Sequence, residues 1–289
     1  MFMRQNFFLV VVSLISVTVG CATAKHSKLK RVNATPRFEK IMVVFYENES
    51  FSTTESNDFF KKLAERGALL TNFHGERHPS QPNYIAFISG STQGIEDDNN
   101  HDISAKHIGD LLEAKGRTWK NYTEGYPGEC FTGAKKGRYV RKHTPFLSFT
   151  NVQKNPERCA NVVPATDLKK DIAKGTIPDF SIYTPDLDDD GHDTGIEGAA
   201  TAFKKTFEAL INDTDFMKGM LLVITFDEDD KKEKNRIYTA LIGDGVMPGS
   251  SSDADLNHYS LLRLVEDRWG LGHLGKNDED AAPITGIWN

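Results

Sequence analysis

Two stretches of the sequence decide the fold: residues 40–48, KIMVVFYEN, and residues 219–228, GMLLVITFDE. Each begins with β-branched and other apolar residues and passes directly into acidic or amide side chains. An uninterrupted apolar run of this length is typical of a strand that is buried on both faces of a sheet. The two stretches therefore predict buried strands that end in polar side chains.

Strand-like and helical patterns alternate through the rest of the chain. The strand-like segments are 40–46, 68–73, 117–122, 179–184, 219–226 and 237–242, and the helical ones are 56–66, 82–89, 104–115, 165–174, 197–212 and 257–269. This alternation predicts an α/β fold, a mostly parallel sheet with helices on both faces, in which ligands bind beyond the carboxyl ends of the strands. Because no repeat or low-complexity linker follows residue 36, residues 38–289 are predicted to form a single domain.

The composition is that of a globular protein without a nucleic-acid signature. The 289 residues include 35 basic and 41 acidic side chains, a formal net charge of −6, and 38% of the residues are hydrophobic. This composition supports one sizeable core and excludes disordered, collagen-like and disulfide-knot classes. Since binding to a phosphate backbone normally requires a basic face, nucleic acid is not expected as a partner.

The first residues have the order of a targeting segment. Arg4 precedes an apolar run from Phe7 to Val19, and Ala22-Thr23-Ala24 supplies small residues for cleavage. This order predicts a secretory signal over residues 1–24, followed by a flexible segment over 25–37. The apolar run has about 13 residues against the roughly 20 that span a bilayer, so no stable membrane span is expected.

The prediction of secretion determines how the three cysteines are interpreted. Thr18-Val19-Gly20-Cys21 also resembles a weak lipoprotein box, which would instead leave a lipidated Cys21 as an anchor. If Cys21 leaves with the signal, Cys130 and Cys159 remain as an even pair in an oxidising compartment, and a disulfide is expected. The alternative is two buried free thiols. The residues between the pair are rich in Gly and Pro, which predicts an excursion stapled by the disulfide.

Three predicted strands run into acidic or amide side chains where they end. The residues concerned are Glu47 and Asn48 after 40–46, Asp227 and Glu228 after 219–226, and the run 186–193, with Asp190 and His192, after 179–184. The carboxyl ends of parallel strands meet at one edge, and a divalent metal ion would resolve the repulsion among these acids. Each cluster alone also fits a solvated turn or a helix cap. Residues 229–233 are interpreted as an exposed turn without a metal role.

Residues 186–197, DLDDDGHDTGIE, also match the EF-hand calcium loop, with Asp at positions one, three and five, Gly at six and Glu197 at twelve. The context does not fit, because Pro178 and Pro185 flank a β-rich stretch where an entering helix is required. No second copy of the motif is present to pair with it. A secreted calcium-binding module that uses this loop is the non-enzymatic alternative.

The segment His78-Pro-Ser-Gln-Pro-Asn-Tyr84 leads into an apolar run and predicts the start of a helix. Pro82 suits the first turn, and Ser80 suits the N-cap. A hydroxyl at a helix N-terminus is also where free N–H groups favour a nucleophile and bind phosphate oxygens. With a metal ion alongside, Ser80 would ionise. The sequence has no Gly-x-Ser-x-Gly elbow, so an α/β-hydrolase triad is not supported.

Five short motifs follow one another between about residue 38 and residue 271: YENESF at 46–51, HPSQPNY at 78–84, SGST at 89–92, TFDEDD at 225–230 and HYSLLR at 258–263. Together they resemble the secreted phosphoesterase family that contains acid phosphatases and bacterial phospholipases C. The resemblance implies an alkaline-phosphatase-like fold and metal-dependent phosphoryl transfer through a phosphorylated side chain. The implied metal ligands are Glu47, Asn48, Asp227 and Glu228, with Ser80 as the nucleophile that also contacts the ion.

The roles of other polar residues stay open at this point. By the resemblance, Asn83 donates to the phosphate oxygens, or else it is a helix residue bonded to the backbone. The residues available for a second ion, as in two-metal relatives, are Asp190, His192 and His258; either histidine would alternatively contact phosphate as a donor or acid. Arg138, Arg141 and His143 would bring positive charge to the substrate or form a solvated basic face.

The sequence thus predicts a secreted, metal-dependent phosphoric ester hydrolase acting on a small phosphoester. The first expectation is an acid phosphatase that cleaves phosphomonoesters through phosphoserine, and the alternative enzyme is a phosphodiesterase of phospholipase C type. Oxygen ligands suit calcium, magnesium or manganese, whereas the histidines would admit zinc or iron.

Overall fold

The computed structural model describes residues 1–2 and 35–289. Apart from residues 1–2, the predicted signal over 1–24 lies outside the described residues, as does the segment 25–34. The described residues from Thr35 onward belong to one compact unit. Arg268 donates hydrogen bonds to the carbonyls of Arg37, at 3.2 Å, and Phe38, at 2.7 Å, so the end of the predicted flexible segment already contacts this unit. Within the described residues, no helix is long and apolar enough to cross a membrane.

Strands and helices alternate along the chain. The strands are β1 (Lys40–Tyr46), β2 (Ala68–His74), β3 (Trp119–Thr123), β4 (Lys135–Lys136), β5 (Tyr139–Val140), β6 (Val162–Pro164), β7 (Phe180–Thr184), β8 (Met220–Phe226), β9 (Arg236–Gly243), β10 (Ser250–Ser252) and β11 (Leu256–Asn257). The α-helices are α1 (Phe51–Ser56), α2 (Asp58–Glu65), α3 (Ser80–Ser89), α4 (Ile108–Ala114), α5 (Thr150–Gln153), α6 (Pro156–Cys159), α7 (Asp167–Lys174), α8 (Gly195–Phe207), α9 (Thr214–Met217), α10 (His258–Trp269) and α11 (Asn277–Asp280). Short 3-10 helices cover Arg141–His143, Pro145–Ser148 and Leu210–Asn212.

The main sheet of the described chain has the strand order β10-β2-β9-β8-β1-β7-β3-β6, with β11 also paired to β2. The pairings are parallel except those of β9, which runs antiparallel to both β8 and β2. The short connection from β8 to β9 leaves no room for a crossover, so the two strands form a hairpin. The predicted mostly parallel α/β fold is therefore confirmed.

The two stretches that decide the fold are neighbours at the centre of the sheet. β1 pairs with β8 from Lys40 opposite Met220 to Tyr46 opposite Phe226, and β8 is buried along its whole length. β7 pairs with the other side of β1. The carboxyl ends of β8, β1 and β7 therefore lie side by side, and this edge receives the polar residues that follow the strands.

The helix predicted over 56–66 is α2, Asp58–Glu65, and a separate helix, α1, precedes it over Phe51–Ser56. α2 begins after Asn57, whose side-chain oxygen accepts hydrogen bonds from the backbone N–H groups of Phe59, at 3.0 Å, and Phe60, at 3.3 Å. Because Asn is a strong N-cap residue, it separates the two helices. The helix predicted over 197–212 ends at Phe207 and gives way to a 3-10 turn.

The predicted excursion and its disulfide are confirmed. Cys130 and Cys159 form a disulfide with their Cα atoms 5.6 Å apart. The chain between them holds only β4, β5, α5, the start of α6 and two 3-10 turns, none longer than a single helical turn. The disulfide closes this loop, which has no long helix or strand of its own.

Candidate active site

The acidic residues that follow β1 and β8 meet at the carboxyl edge of the sheet. The backbone N–H of Asp227 donates to the carbonyl of Tyr46 at 3.1 Å, so the β1–β8 ladder continues up to the acids. Glu47, Asp227 and Glu228 are each at most 2% exposed. Asn48 adopts φ of +52°, a left-handed conformation that Asn tolerates, and its own N–H lies 3.3 Å from Asp227 Oδ1. The sharp turn after β1 thereby directs Asn48 toward the end of β8.

Ser80 points into this group of acids. Its hydroxyl donates to Glu47 Oε2 at 2.8 Å and also lies 3.3 Å from Glu228 Oε1 and 3.4 Å from Asn48 Oδ1. The expectation of an N-cap serine is corrected here, because Ser80 is the first residue of α3 and Pro79 occupies the cap position without a side-chain hydrogen bond. The hydroxyl thus faces carboxylates instead of the helix backbone.

The oxygens around Ser80 form a donor set that fits a hard divalent cation. One terminal atom of the Asn48 side-chain amide lies 3.2 Å from both Asp227 Oδ1 and Glu47 Oε2. If that atom is the amide nitrogen, it donates a hydrogen bond to each of the two carboxylates. If it is the amide oxygen, it cannot donate, and a cation bound among the amide and the two carboxylates would hold the three groups together. Asp227 Oδ2 is buried without a hydrogen-bond partner. Carboxylate, amide and hydroxyl oxygens are ligands that suit magnesium, calcium or manganese.

The pKa shifts of the acids also favour a bound cation. Burial, together with Glu47 and Glu228, raises the pKa of Asp227 well above its ordinary value. Burial also raises the pKa of Glu228, although His78 opposes this. For Glu47 the burial effect is outweighed by His143 and by Lys142, which lower its pKa to about 2. A divalent ion between the acids would allow all of them to ionise.

His143 and Tyr84 surround Glu47 from the side opposite to β8. His143 Nε2 lies 3.2 Å from Glu47 Oε2 and Nδ1 lies 3.7 Å from Asp190 Oδ2, yet neither ring nitrogen makes a hydrogen bond. The imidazole stacks on Tyr84, with ring centroids 5.3 Å apart, and the Tyr84 hydroxyl donates to Glu47 Oε1. The sequence signalled Tyr84 only by its spacing, one helical turn after Ser80. His143 had no signal beyond a basic tract.

His78 and Asn83 frame Ser80 through different contacts. His78 Nδ1 contacts Glu228 Oε2, a role that the motif alone did not reveal. Asn83 Oδ1 accepts hydrogen bonds from the N–H groups of Glu76, at 2.7 Å, and Arg77, at 3.0 Å, while its Nδ2 donates to the carbonyls of Arg77 and Pro79. Asn83 thus takes the backbone-bonding role that was its alternative, and its amide holds the loop before Ser80 instead of facing phosphate.

The structure does not bring the three residues expected at a second metal site together. Asp190 Oδ2 faces His143, and burial with the adjacent Glu47 raises the pKa of Asp190 to about 8. The His192 side chain is 44% exposed and bonds to Asp193. His258 is buried, and its Nε2 lies 2.8 Å from the carbonyl of Asp227. The second ion and a phosphate contact by His192 or His258 therefore stay predictions that this geometry does not support.

The basic residues of the excursion also separate. Arg138 pairs with Asp188 at 2.8 Å and with Asp193, and buried Arg141 bonds to Asp102 and to backbone carbonyls. Both arginines therefore hold loops together, and only His143 of this set reaches the site. Asp229, expected in an exposed turn, is 1% exposed, because its carboxylate accepts hydrogen bonds from the backbone of the turn.

The segment 186–197 does not form a calcium loop. β7 enters it where an EF-hand needs a helix. Its acids point in different directions, with Asp188 toward Arg138, Asp189 toward Lys205 and Glu197 toward Asn57. The literal sequence match therefore lacks the convergence of oxygens that binding requires, and the calcium-module alternative is corrected.

Another group of potential ligands lies outside this site. The ligand atoms of Glu266, His273 and Asp278 lie within 4.8 Å of one another. His273 Nδ1 is 2.9 Å from Glu266 Oε2, and the Asp278 oxygens accept backbone N–H groups at 2.7 and 2.9 Å. Glu266 Oε1 has no hydrogen-bond partner. Unlike the oxygens around Ser80, this group has no hydroxyl or amide side chain among its ligand atoms.

Solved structures of low sequence identity share the fold. A protein in the alkaline phosphatase superfamily from Vibrio parahaemolyticus superposes with a TM-score of 0.57 at 13% identity, covering 87% of this chain and 72% of that one. Phosphonate monoester hydrolase of Agrobacterium radiobacter gives a TM-score of 0.56 at 11% identity, covering 85% and 78%. The expected alkaline-phosphatase-like fold is confirmed.

Sequence comparisons define the family within this fold. The model of the Phosphoesterase family matches residues 50–272, and the chain belongs to that family, as the five motifs predicted. A probable acid phosphatase of Kluyveromyces lactis is 35% identical over 266 residues, 87% of this chain and 63% of that protein. A phosphatidylinositol-3-phosphatase of Mycobacterium tuberculosis is 32% identical over 262 residues, 89% and 85%.

An acid phosphatase of Aspergillus fumigatus is 34% identical over 254 residues, 83% of this chain and 57% of that protein. The chain therefore spans less than two thirds of the length of the Kluyveromyces lactis and Aspergillus fumigatus proteins.

Proposed function

We propose that this protein is a metal-dependent phosphomonoesterase of the acid phosphatase type, with Ser80 as its nucleophile. The observation that carries the proposal is the position of Ser80 Oγ, which lies 2.8–3.4 Å from oxygens of Glu47, Asn48 and Glu228 at the carboxyl edge of the sheet. A hydroxyl aimed at acids of this kind has no structural task as a helix cap. Similarity to proteins named acid phosphatase favours monoesters as substrates.

The residues that would hold the ion are Glu47, Asn48, Ser80, Asp227 and Glu228. A divalent ion bound there would lower the pKa of the Ser80 hydroxyl and neutralise charge that develops on the phosphoryl oxygens. His258 donates from Nε2 to the Asp227 carbonyl and keeps the end of β8 in place. Asn83 holds the backbone before Ser80, so the hydroxyl has little freedom to turn away.

The chemistry follows in two displacements. Ser80 Oγ releases its proton to solvent and attacks phosphorus in line. The Oγ–P bond forms while the bond from phosphorus to the ester oxygen breaks, and the leaving oxygen takes up a proton from solvent. Water then cleaves phosphoserine, which restores the Ser80 hydroxyl and releases inorganic phosphate. His143, with both ring nitrogens free of hydrogen bonds, is placed to donate to a phosphoryl oxygen beside Glu47.

The predicted N-terminal signal and the Cys130–Cys159 disulfide both support secretion into an oxidising compartment. Lipidation of Cys21 is the alternative for how the chain is held there, and mass spectrometry of the exported protein separates the two. A phosphodiesterase of phospholipase C type remains the other enzymatic reading. Release of diacylglycerol from phosphatidylcholine, with no turnover of a soluble monoester, would favour that reading.

The test compares Ser80→Ala with the wild type and with Ser56→Ala, an exposed hydroxyl at the end of α1. With p-nitrophenyl phosphate, Ser80→Ala should lose at least about 10³-fold in kcat at an unchanged circular dichroism spectrum, while Ser56→Ala keeps full turnover. Acid quenching with labelled substrate should trap phosphate on the peptide that contains Ser80. Near wild-type turnover by folded Ser80→Ala would remove the proposed nucleophile.

A further inference from the structure

An open cavity of about 610 Å³ adjoins the proposed active site. It is lined by Glu76, Arg77, His78, Asp229, Lys231, Lys234 and Asn235. Its distance from the reacting group is short, because His78 contacts one oxygen of Glu228 and the other oxygen lies 3.3 Å from Ser80 Oγ. A molecule whose phosphoryl group reaches Ser80 would extend its remaining part toward this cavity.

Three of the lining side chains are cations without an oxygen partner. Within the described part of the chain, the side chains of Arg77, Lys231 and Lys234 form no hydrogen bond or ion pair, whereas Arg138 and Arg158, for example, are held by carboxylates. An Arg or Lys side chain that faces a concave surface without a counter-ion is available for an anionic ligand.

The two acids of the cavity, Glu76 and Asp229, do not balance its three cations. Asp229 already accepts hydrogen bonds from the N–H groups of Lys231, at 2.8 Å, and Glu233, at 2.6 Å. Burial raises the pKa of Glu76 to about 7, although its carboxylate accepts backbone hydrogen bonds from His258 and Tyr259. In acidic solution Glu76 is therefore largely neutral, and the cavity carries a net positive charge.

The loop that presents the lysines has a specific, strained backbone. Lys231, Lys234 and Asn235 have φ values of +68°, +55° and +63°, a left-handed conformation that costs on the order of 1 kcal/mol or more for such residues. Asn235 stabilises it, because Oδ1 accepts from Asp229 N at 2.8 Å and Nδ2 donates to the Arg77 carbonyl at 3.1 Å.

Gly75 packs directly against this loop. A β-carbon on Gly75 would lie 2.7 Å from Asn235 Nδ2, so only glycine permits the contact. The loop backbone that carries the lysines is therefore held by packing and by the hydrogen bonds of Asn235.

We propose that this basic cavity is a leaving-group subsite, selecting phosphomonoesters whose leaving group carries a second phosphate or a comparable anion. The inference rests on the proposed phosphomonoesterase function and specifies its substrate class. Arg77, Lys231 and Lys234 bind the second anion while the first phosphoryl group reaches Ser80. A soluble bisphosphate and a phosphorylated inositol headgroup share this chemistry.

The experiment uses two matched probes, 1,4-butanediol bisphosphate and n-butyl phosphate, which differ in the second phosphate group. The full-length wild type should hydrolyse the bisphosphate with at least tenfold higher kcat/KM, and 0.5 M KCl should reduce this preference. The double substitution Lys231→Gln/Lys234→Gln should lower the ratio of the two kcat/KM values at least tenfold, and Arg77→Gln should lower it severalfold.

The control is Lys174→Gln/Lys218→Gln, which removes two exposed lysines just ahead of β7 and β8, at the opposite edge of the sheet. It should leave the ratio unchanged. Equal kcat/KM for the two probes in the wild type, or an unchanged ratio in the Lys231/Lys234 variant, would overturn the subsite.

Binding separates failure of the subsite from failure of the proposed function. If neither probe is hydrolysed, the phosphatase proposal fails; calorimetric binding of the bisphosphate that is weakened by Lys231→Gln/Lys234→Gln then still supports the subsite, and absence of binding overturns it.

A final arm compares inositol 1,3-bisphosphate with phosphatidylinositol 3-phosphate in phosphatidylcholine vesicles. If the double variant loses turnover of both substrates, the cavity recognises the second anion in either setting. If the double variant still hydrolyses the phosphatidylinositol 3-phosphate in vesicles, recognition of the anion by these lysines is contradicted.

Discussion

At the carboxyl edge of the sheet Glu47 and Asp227 are buried beside each other, whereas near the end of α10 Glu266 is buried beside Asp278. The first pair comes from two strands far apart in the chain and faces the Ser80 hydroxyl. The second pair comes from one helix and the segment that follows it. Both pairs must offset the repulsion and desolvation of neighbouring acids, and the groups around them determine how this happens.

The difference lies in the groups that the acids face. Asp278 accepts backbone N–H groups of Leu274 and Lys276, and His273 contacts Glu266. Burial and Asp278 raise the pKa of Glu266 to about 9, so a proton is held between the two acids at neutral pH. Around Asp227, oxygens of Glu47, Asn48 and Glu228 converge on the Ser80 hydroxyl, while one oxygen in each pair, Asp227 Oδ2 and Glu266 Oε1, has no hydrogen-bond partner. Acids that share a proton stabilise a local structure, and acids that converge with an amide and a hydroxyl are suited to a cation.

The largest expected difference is in activity. Asp227→Asn should lower kcat/KM for p-nitrophenyl phosphate at least about 10³-fold, because it removes a proposed metal ligand that stabilises charge in the transition state. Glu266→Gln, a change of the same kind in the other pair, should stay within about twofold of the wild type. Steady-state kinetics on both variants measures this. A comparable loss in Glu266→Gln would show that the two pairs do not differ in the way described.

Metal removal should distinguish the pairs by thermal stability. Dialysis against EDTA should lower the Tm of the wild type by several degrees, since a ligand that binds only the folded state stabilises it, and adding back Mg²⁺ or Mn²⁺ should restore the Tm. Asp227→Asn should lack this shift, and Glu266→Gln should retain it. Scanning calorimetry with metal analysis of each protein checks the prediction. A shift lost in Glu266→Gln and kept in Asp227→Asn would place the ion at the other pair.

The pH dependence of stability should be sensitive to Glu266. Its pKa is raised from 4.5 unfolded to about 9 folded, so the folded state holds a proton that the unfolded state has lost, and this group makes stability fall as pH rises from about 4.5 to about 9. The slope from one group is at most about 1.4 kcal/mol per pH unit. Urea unfolding at pH 5.5, 7 and 8.5 gives the free energy of unfolding as a function of pH. Glu266→Gln, which leaves His273, Asp267 and Asp278 in place, should make this dependence flatter than in the wild type. Parallel slopes in the two proteins would contradict the shared proton.

The smallest expected effect concerns two tyrosines that donate to carboxylates. Tyr84→Phe leaves Glu47 Oε1 without its donor and should lower kcat by roughly 5- to 30-fold, equivalent to about 1–2 kcal/mol. Tyr122→Phe removes a comparable 2.6 Å hydrogen bond to Asp171 away from the site and should change stability without changing kcat. Kinetics and urea unfolding of both variants test this contrast. Equal effects on kcat would argue against a role for Tyr84 at the reacting centre.

The hydrophobic pattern alone predicts the main buried strands and the residues that lie where these strands end. Apolar runs that pass directly into acids specify strand ends, and parallel strands bring such ends to one edge, so Glu47 and Asp227 were predictable as neighbours. The start of a helix near Ser80 and the disulfide partners were equally readable, because cap residues, prolines and an even cysteine pair are local or compositional signals.

The other side chains that reach this edge are visible only in the folded chain. His143 arrives from the excursion and stacks on Tyr84, while His192 turns outward to Asp193 and His258 stays behind the Asp227 carbonyl. The left-handed turn that presents Lys231 beside Arg77 was likewise absent from the pattern. The physical reason is that the direction of a loop side chain depends on long-range packing and hydrogen bonds, which hydrophobic periodicity does not encode.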